Sequence, residues 1–374
     1  MLNGVHLTLL IGPLMAPMPA PLPLMEALQS VQVTAGRTGT GFQLTFTLGK
    51  LSPLQVMLAT GLLDPIVTRV VIVATMNGIP HVISDGVVTQ QAVAPSNEPG
   101  QSTLTLTGDD LSVLMDLTQM RLIYMAMTDA AIVQLILAKY AMFRIVPLVI
   151  SPLADSPRSP TDGSISQTTT DLTFIRRLSQ SCGYTFYIDP GPAPGQSIAY
   201  FGPDVHLPVP QPALSINSDW ATNVESLSFN HNGLSKQTTV ITILDPVTRK
   251  LTIPIPLPSI DLLNPPLGLR VTVPAKLRYS EDMSQLEPAE AAQRAFGLMR
   301  EGANSVSGNG SLSVTRYGHI LRARMLVGVR GAGETYDGLY YVESVTHNIK
   351  HGEYKQSFTL ARDGLISQTP MVRP

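Results

Sequence analysis

The chain has 374 residues, a formal net charge of −2 and only 14% charged residues, against roughly 25% in a typical soluble protein. So even a balance gives no electrostatic basis for binding nucleic acid or an anionic membrane, and a lone cysteine, Cys182, excludes an internal disulfide framework or a cysteine-based zinc cluster. The length points to two or three domains. Two explanations fit the shortage of charge: a surface hidden against partners, or an all-β composition rich in Thr, Val and Gly.

The chain opens MLNGVHLTLLIGPLMAPMPAPLPLMEAL, apolar but broken by Pro13, Pro17, Pro19, Pro21 and Pro23. Prolines this dense oppose a spanning helix, so residues 1–30 read as an extended proline-rich arm with no classical secretion signal. Residues 54–76 are apolar too, but Asp64-Pro65 and Arg69 interrupt them, and they do not read as a membrane span.

From residue 31 to about 111 the pattern is strands and turns. GFQLTFTLGK alternates, with Phe42, Leu44, Phe46 and Leu48 on one face. RVVIVATMNG runs into GIPHVISDGVV through Asn77-Gly78, the strongest short hairpin signal, and STLTLTGDD supplies another strand.

The character changes between residues 128 and 212. Ile132, Leu135, Ile136, Tyr140 and Phe143 fall at helical spacing, with Pro147 as the expected stop. A Pro/Ser-rich linker covers residues 151–163. In TTTDLTFIRRLSQSCGYTFYID, Thr170 is the expected N-cap, Leu172, Ile175 and Leu178 form the apolar face, Gly183 ends the helix and YTFYID is a strand.

The third territory starts near Trp220. NVESLSFNHNG and TTVITILD read as strands, followed by a proline-rich excursion over residues 253–274. A helix begins near Pro288 and buries Ala291, Ala292, Ala295, Phe296 and Met299. GSLSVTRYG, HILRARMLVGVRG and DGLYYVESVTHNIKHGEYKQSFTLARDG read as closing strands, with Gly352 at a hairpin turn. A pseudo-repeat links GIPHVISDGVV…GQSTLTLTGDDL to GLYYVESVTHNI…GEYKQSFTLARDGL. Two copies of one β-domain would produce it, and so would the chance likeness of any two hairpins.

No motif supports catalysis. The seven histidines make no HExxH, and His347 and His351 read as solvated residues near a hairpin turn. GNGSL does not fit a nucleophile elbow, Gly331-Ala332-Gly333 is too short for a dinucleotide fingerprint, and Asp109-Asp110 and Glu281-Asp282 have turn and helix-start roles.

In three segments the sequence resembles the tail-hub proteins of contractile injection machines: the phage late control protein D family and the hub part of type VI valine–glycine repeat spike proteins. QTTTDLTFIRRLSQSCGYTFYI matches that family's pattern at Gln167, Asp171, Phe174, Arg177-Leu178, Gly183, Tyr184 and Tyr187. DWATNVESLSFNHN is similar to the strand that opens the family's second barrel, and the C-terminal run from Arg316 looks like its closing strands.

The resemblance implies an α+β, mainly β fold with two tail-tube-like β-barrels, residues 31–127 and 220–374, and an inserted α+β domain, residues 128–219. It implies a homotrimeric ring that joins a threefold spike to a sixfold inner tube, with a separate spike protein, the inner tube protein and other baseplate components as partners. With no catalytic or metal-binding motif in the sequence, no enzyme activity, cofactor or metal is expected, and assembly is expected in the bacterial cytoplasm as part of a virion or tail-like particle. Arg316, Tyr317, Arg322, Arg324 and Arg330 are the candidate interface positions, as cationic or aromatic heads projecting from a charge-poor surface. The competing class is a β-rich cell-wall or polysaccharide hydrolase or a carbohydrate-binding protein. One Trp and 6% aromatics count against both, because glycan sites are usually lined by exposed aromatic rings.

Overall fold

The computed structural model describes residues 4–49, 52–98, 100–152, 155, 165–204, 209–244, 252–258, 264–282, 291, 294–295, 297–299 and 303–368. The architecture is α+β and mainly β. Two β units share one strand order. In the first, the neighbours run Leu28–Ala35, Thr40–Thr47, Thr103–Asp110, Ile79–Ala94, Thr68–Met76. In the second they run Ser226–His231, Val306–Ser313, Glu353–Arg362, Gly338–Lys350, Leu326–Arg330. Every neighbouring pair in both units is antiparallel. Even a bulge recurs, between Val88 and Gln90 in one and Val342 and Ser344 in the other. The pseudo-repeat in the sequence is therefore a repeat of topology.

Local chemistry explains these elements. Asn77 and Gly78 take φ values of 51° and 81°, the left-handed pair that a two-residue hairpin needs to match strand twist. Gly352, at φ 78°, turns the chain between Gly338–Lys350 and Glu353–Arg362. Alternation then puts Phe42, Leu44 and Phe46 inside on one unit and Tyr340, Val342, Val345, Phe358 and Leu360 inside on the other. All of these side chains belong to one continuous apolar core that crosses both units.

Several expectations are corrected. Residues 1–30 do not form an extended arm: Val5–Pro13 pairs antiparallel with Thr68–Met76 along its whole length, and Leu22–Ala27 is a helix. Its prolines fall where they cost little, at the strand end, just past it and at the first helical turn. Similarly, Gln211–Ser215 joins the second unit in parallel with Leu326–Arg330 instead of staying with the inserted domain. The 253–274 excursion contains the strands Thr252–Pro258 and Gly268–Val271. GSLSVTRYG and HILRARM are not strand throughout, since Val314–Tyr317 forms a helical turn closed by Gly318 at φ 79°. Most of the 151–163 linker, and Pro288, Ala292 and Phe296 of the expected helix, lie outside the described residues. Ala291 and Ala295 are helical and pack against Ile241.

The inserted unit places Asp129–Ala138 and Asp171–Ser181 against a sheet of Thr185–Pro190, Ser197–Gly202 and Ile145–Val149, around its own core. Thr170 caps the second helix as expected, accepting from the Thr173 N–H, and Gly183 leaves it at φ 65°. The first helix stops at Ala138, well before Pro147, because a 3-10 turn at Ala141–Phe143 and a left-handed Arg144 intervene. Pro147 sits in an edge strand instead, and Leu135 faces outward at 50% exposure.

One buried ion pair ties this unit to the first sheet. The Arg69 guanidinium donates to both oxygens of Asp85, each at 2.7 Å, and to the carbonyls of Leu14, Phe143 and Gly195. Ser197 Oγ donates to the same Asp85 carboxylate. Such a pair gives little net stability over an apolar pair but is costly to break one-sidedly. Arg69→Met is therefore expected to lower the unfolding free energy by about 3–5 kcal/mol, read from the urea midpoint. The double change R69M/D85L should lose distinctly less.

His347 also departs from expectation: it is buried, not solvated, and its Nδ1 lies 2.8 Å from the Tyr354 hydroxyl and 3.2 Å from Gln356 Nε2. Burial, helped by the charge of Arg322, pushes its pKa down from 6.5 to about 3. Between those two values the unfolded chain binds a proton that the folded chain does not, so stability falls as pH drops through that window. The largest slope from this group is about 1.4 kcal/mol per pH unit. In His347→Gln the acid side of the stability–pH curve should flatten by that slope. A curve parallel to the wild type's would mean that other groups set the acid response.

Candidate assembly interface

The strand Gly338–Lys350 serves both units. Its first part, residues 338–341, pairs with Leu326–Arg330 of its own unit. Past the bulge its second part, residues 345–350, pairs antiparallel with residues 30–35 of the other unit, with Val345 opposite Ala35 and Lys350 opposite Ser30. The bulge at Glu343 bends the strand away from its first partner and toward its second, the usual effect of an inserted residue. On the core side of this seam lie Val31, Val33, Val345 and Ile349, all buried. On the outer side the hydroxyls of Thr34 and Thr346 meet at 3.2 Å.

Next to the seam three parts of the chain converge on two acids of the inserted unit. Arg37, just past the Leu28–Ala35 strand, is paired with Asp204 at 2.8 Å, and the Tyr341 hydroxyl donates to the other oxygen of that carboxylate. Arg324 is paired with Asp189 at 2.6 Å, its guanidinium lies 4.1 Å over the Tyr187 ring, and its Nε donates to the Arg37 carbonyl. Burial and the charge of Asp204 push the Tyr341 hydroxyl far above its ordinary pKa, so it stays a donor at any physiological pH. The arrangement can lock the angle between the units. It contains no nucleophile poised beside a base, and among the described residues no group of His, Cys, Asp or Glu is placed to hold a metal.

The five candidate interface positions fare differently. Arg316 and Arg322 are exposed, and the Arg322 guanidinium lies 3.2 Å from His81 Nδ1. Arg330 ends its strand half-buried. Tyr317 and Arg324 do not project: Tyr317 is buried with its hydroxyl donating to the Pro212 carbonyl, and the Arg324 side chain is 8% exposed. In both cases the aromatic or guanidinium plane finds an internal acceptor that spacing along the sequence does not reveal. Arg37, Asp189, Asp204 and Tyr341 were missed for the same reason, since they come together only through the fold.

No protein-family model matches the sequence, and no curated protein is similar to it in sequence. Solved structures are similar in fold. The 43 kDa tail protein of prophage MuSo2 from Shewanella oneidensis aligns with a TM-score of 0.64 at 12% identity, over 96% of this chain and 99% of that one. A tail protein from Neisseria meningitidis MC58 aligns at 0.62 and 12%, over 96% and 98%. The E. coli c3393 protein, a type VI secretion component that exhibits structural similarity to T4 bacteriophage tail proteins gp27 and gp5, aligns at 0.52 and 12%, over 93% and 78%. The chain thus has the fold of phage tail proteins and of a type VI secretion component.

Proposed function

We propose that the chain is the structural hub of a contractile tail or injection-system baseplate, working as a homotrimeric ring between a threefold spike and a sixfold inner tube. The observation that carries this reading is the repeat of strand order within one chain, joined edge to edge at the seam. Three copies then present six equivalent β units, which is what a threefold object must do to seat a sixfold one. The fold likeness to phage tail proteins and to a type VI component supports it.

In this reading residues 31–127 and 220–374 supply the two tube-like units and residues 128–219 the inserted domain, with the strands Val5–Pro13 and Gln211–Ser215 completing the sheets. The ring nucleates tube assembly on one face and carries a separate spike protein on the other. Arg316, Arg322 and Arg330 contact neighbouring tail components. The function is geometric rather than catalytic. No described helix is long and apolar enough to cross a membrane, and assembly takes place in the bacterial cytoplasm, within a virion or tail-like particle.

Native mass measurement of the full chain is expected to give a species three times the 40.2 kDa protomer, with six-lobed rings in negative stain. A chain that stays monomeric at every concentration and releases fragments from purified cell wall would overturn the reading in favour of a hydrolase.

A further inference from the structure

Beside the seam lies a cavity of about 220 Å³ that all three units line. His81 comes from the first unit, Tyr187 and Asp189 from the inserted unit, and Arg322, Arg324 and His347 from the second. Sites for drug-sized ligands span roughly 300–1,000 Å³, so this one has room for a small ion and not for a cofactor.

The polar groups around the cavity are mostly donors. The Arg324 side chain is 8% exposed; its Nη1 donates to Asp189 and its Nε to the Arg37 carbonyl, but Nη2 is buried with no acceptor among the described residues. Buried polar groups are nearly always paired, and a buried N–H left without an acceptor is costly, most of all on a cation. Both histidines add to the surplus. The Arg322 guanidinium, 3.2 Å from His81 Nδ1, can only donate, so Nδ1 accepts and the ring proton sits on Nε2. Burial, with the charges of Arg322 and His319 nearby, pushes the His81 pKa below its ordinary value and favours the neutral ring. In His347, Nδ1 accepts from Gln356 Nε2 and the Tyr354 hydroxyl, which again leaves the proton on Nε2. Neither Nε2–H meets an acceptor among the described residues.

Against these donors stands one lining carboxylate, Asp189, whose Oδ1 already accepts from Arg324. Two guanidinium charges against one carboxylate leave the lining positive. Arg324 also holds a left-handed backbone, φ 63°, which non-glycine residues adopt rarely and which recurs where ligands are clamped.

We propose that this cavity binds a small free oxyanion of the size of phosphate. The Arg322 and Arg324 guanidinium groups are its charged donors, and the two imidazole Nε2–H groups its neutral ones. Bound there, the anion touches all three units and reinforces the angle that the Arg37–Asp204 and Arg324–Asp189 pairs set. The site is built from one chain and does not rest on the ring reading above.

Calorimetric titration of the full chain with inorganic phosphate, in chloride buffer of equal ionic strength, tests it. The wild type is expected to give a saturable heat with one phosphate bound per chain. Arg322→Gln, a change at an exposed position, should weaken that binding by about tenfold or more, the worth of one charge-assisted hydrogen bond. Arg316→Gln removes the same charge from an exposed position outside the cavity and should leave the affinity unchanged. Circular dichroism of both variants should match the wild type. No saturable heat in the wild type, or a loss no larger in R322Q than in R316Q, overturns the site.

Discussion

Every other feature of this fold depends on how the backbone of Gly338–Lys350 is satisfied. A strand inside a sheet must find partners for its N–H and C=O groups on both sides, because leaving them buried and unpaired costs about as much as a lost hydrogen bond. Here one long strand meets that requirement with three partners: Glu353–Arg362 along one edge and, in succession, Leu326–Arg330 and residues 30–35 along the other. The switch at the bulge turns two sheets into one. It also lets a single apolar core run through both units, so that neither half has to close off its own interior.

Pairing alone does not fix the angle at which two sheets meet, since sheets twist and neighbouring strands rotate by tens of degrees. The ionic junctions beside the seam supply that constraint. Arg37 and Arg324 leave the two β units and reach Asp204 and Asp189 of the inserted unit, while Arg69 binds Asp85 within the first sheet and reaches the backbone of the inserted unit. A chain with 14% charged residues thus uses several of them to orient its parts, with Arg69 and Asp85 fully buried and Arg324 nearly so.

Much of the fold was legible in the sequence because its signals are local. Asn77-Gly78, the alternation around Phe42 and Phe358, the Thr170 cap and the Gly183 stop all act within a few residues, and each holds in the structure. What failed was long-range. Nothing near Val5 reveals that Thr68–Met76 lies ready to receive it, so its neighbouring prolines suggested an arm. Tyr317 and Arg324 looked like surface residues because their acceptors, the Pro212 carbonyl and Asp189, are more than a hundred residues away. His347 looked solvated because alternation places it on a face without saying that Tyr354, Gln356 and Val33 cover that face.

The repeat makes the two halves equivalent in topology but not in what they must do. In the second unit, the strand past the bulge is long and finds a partner within the chain. In the first, the matching stretch runs through Val93 to Ala94 and then meets Pro95, which has no N–H to offer. The stretch at the internal seam is therefore the longer of the two, and the Arg37–Asp204 and Arg324–Asp189 pairs brace it further. The angle between the two units is thus set within each chain as it folds, by the shared strand and the ion pairs beside it.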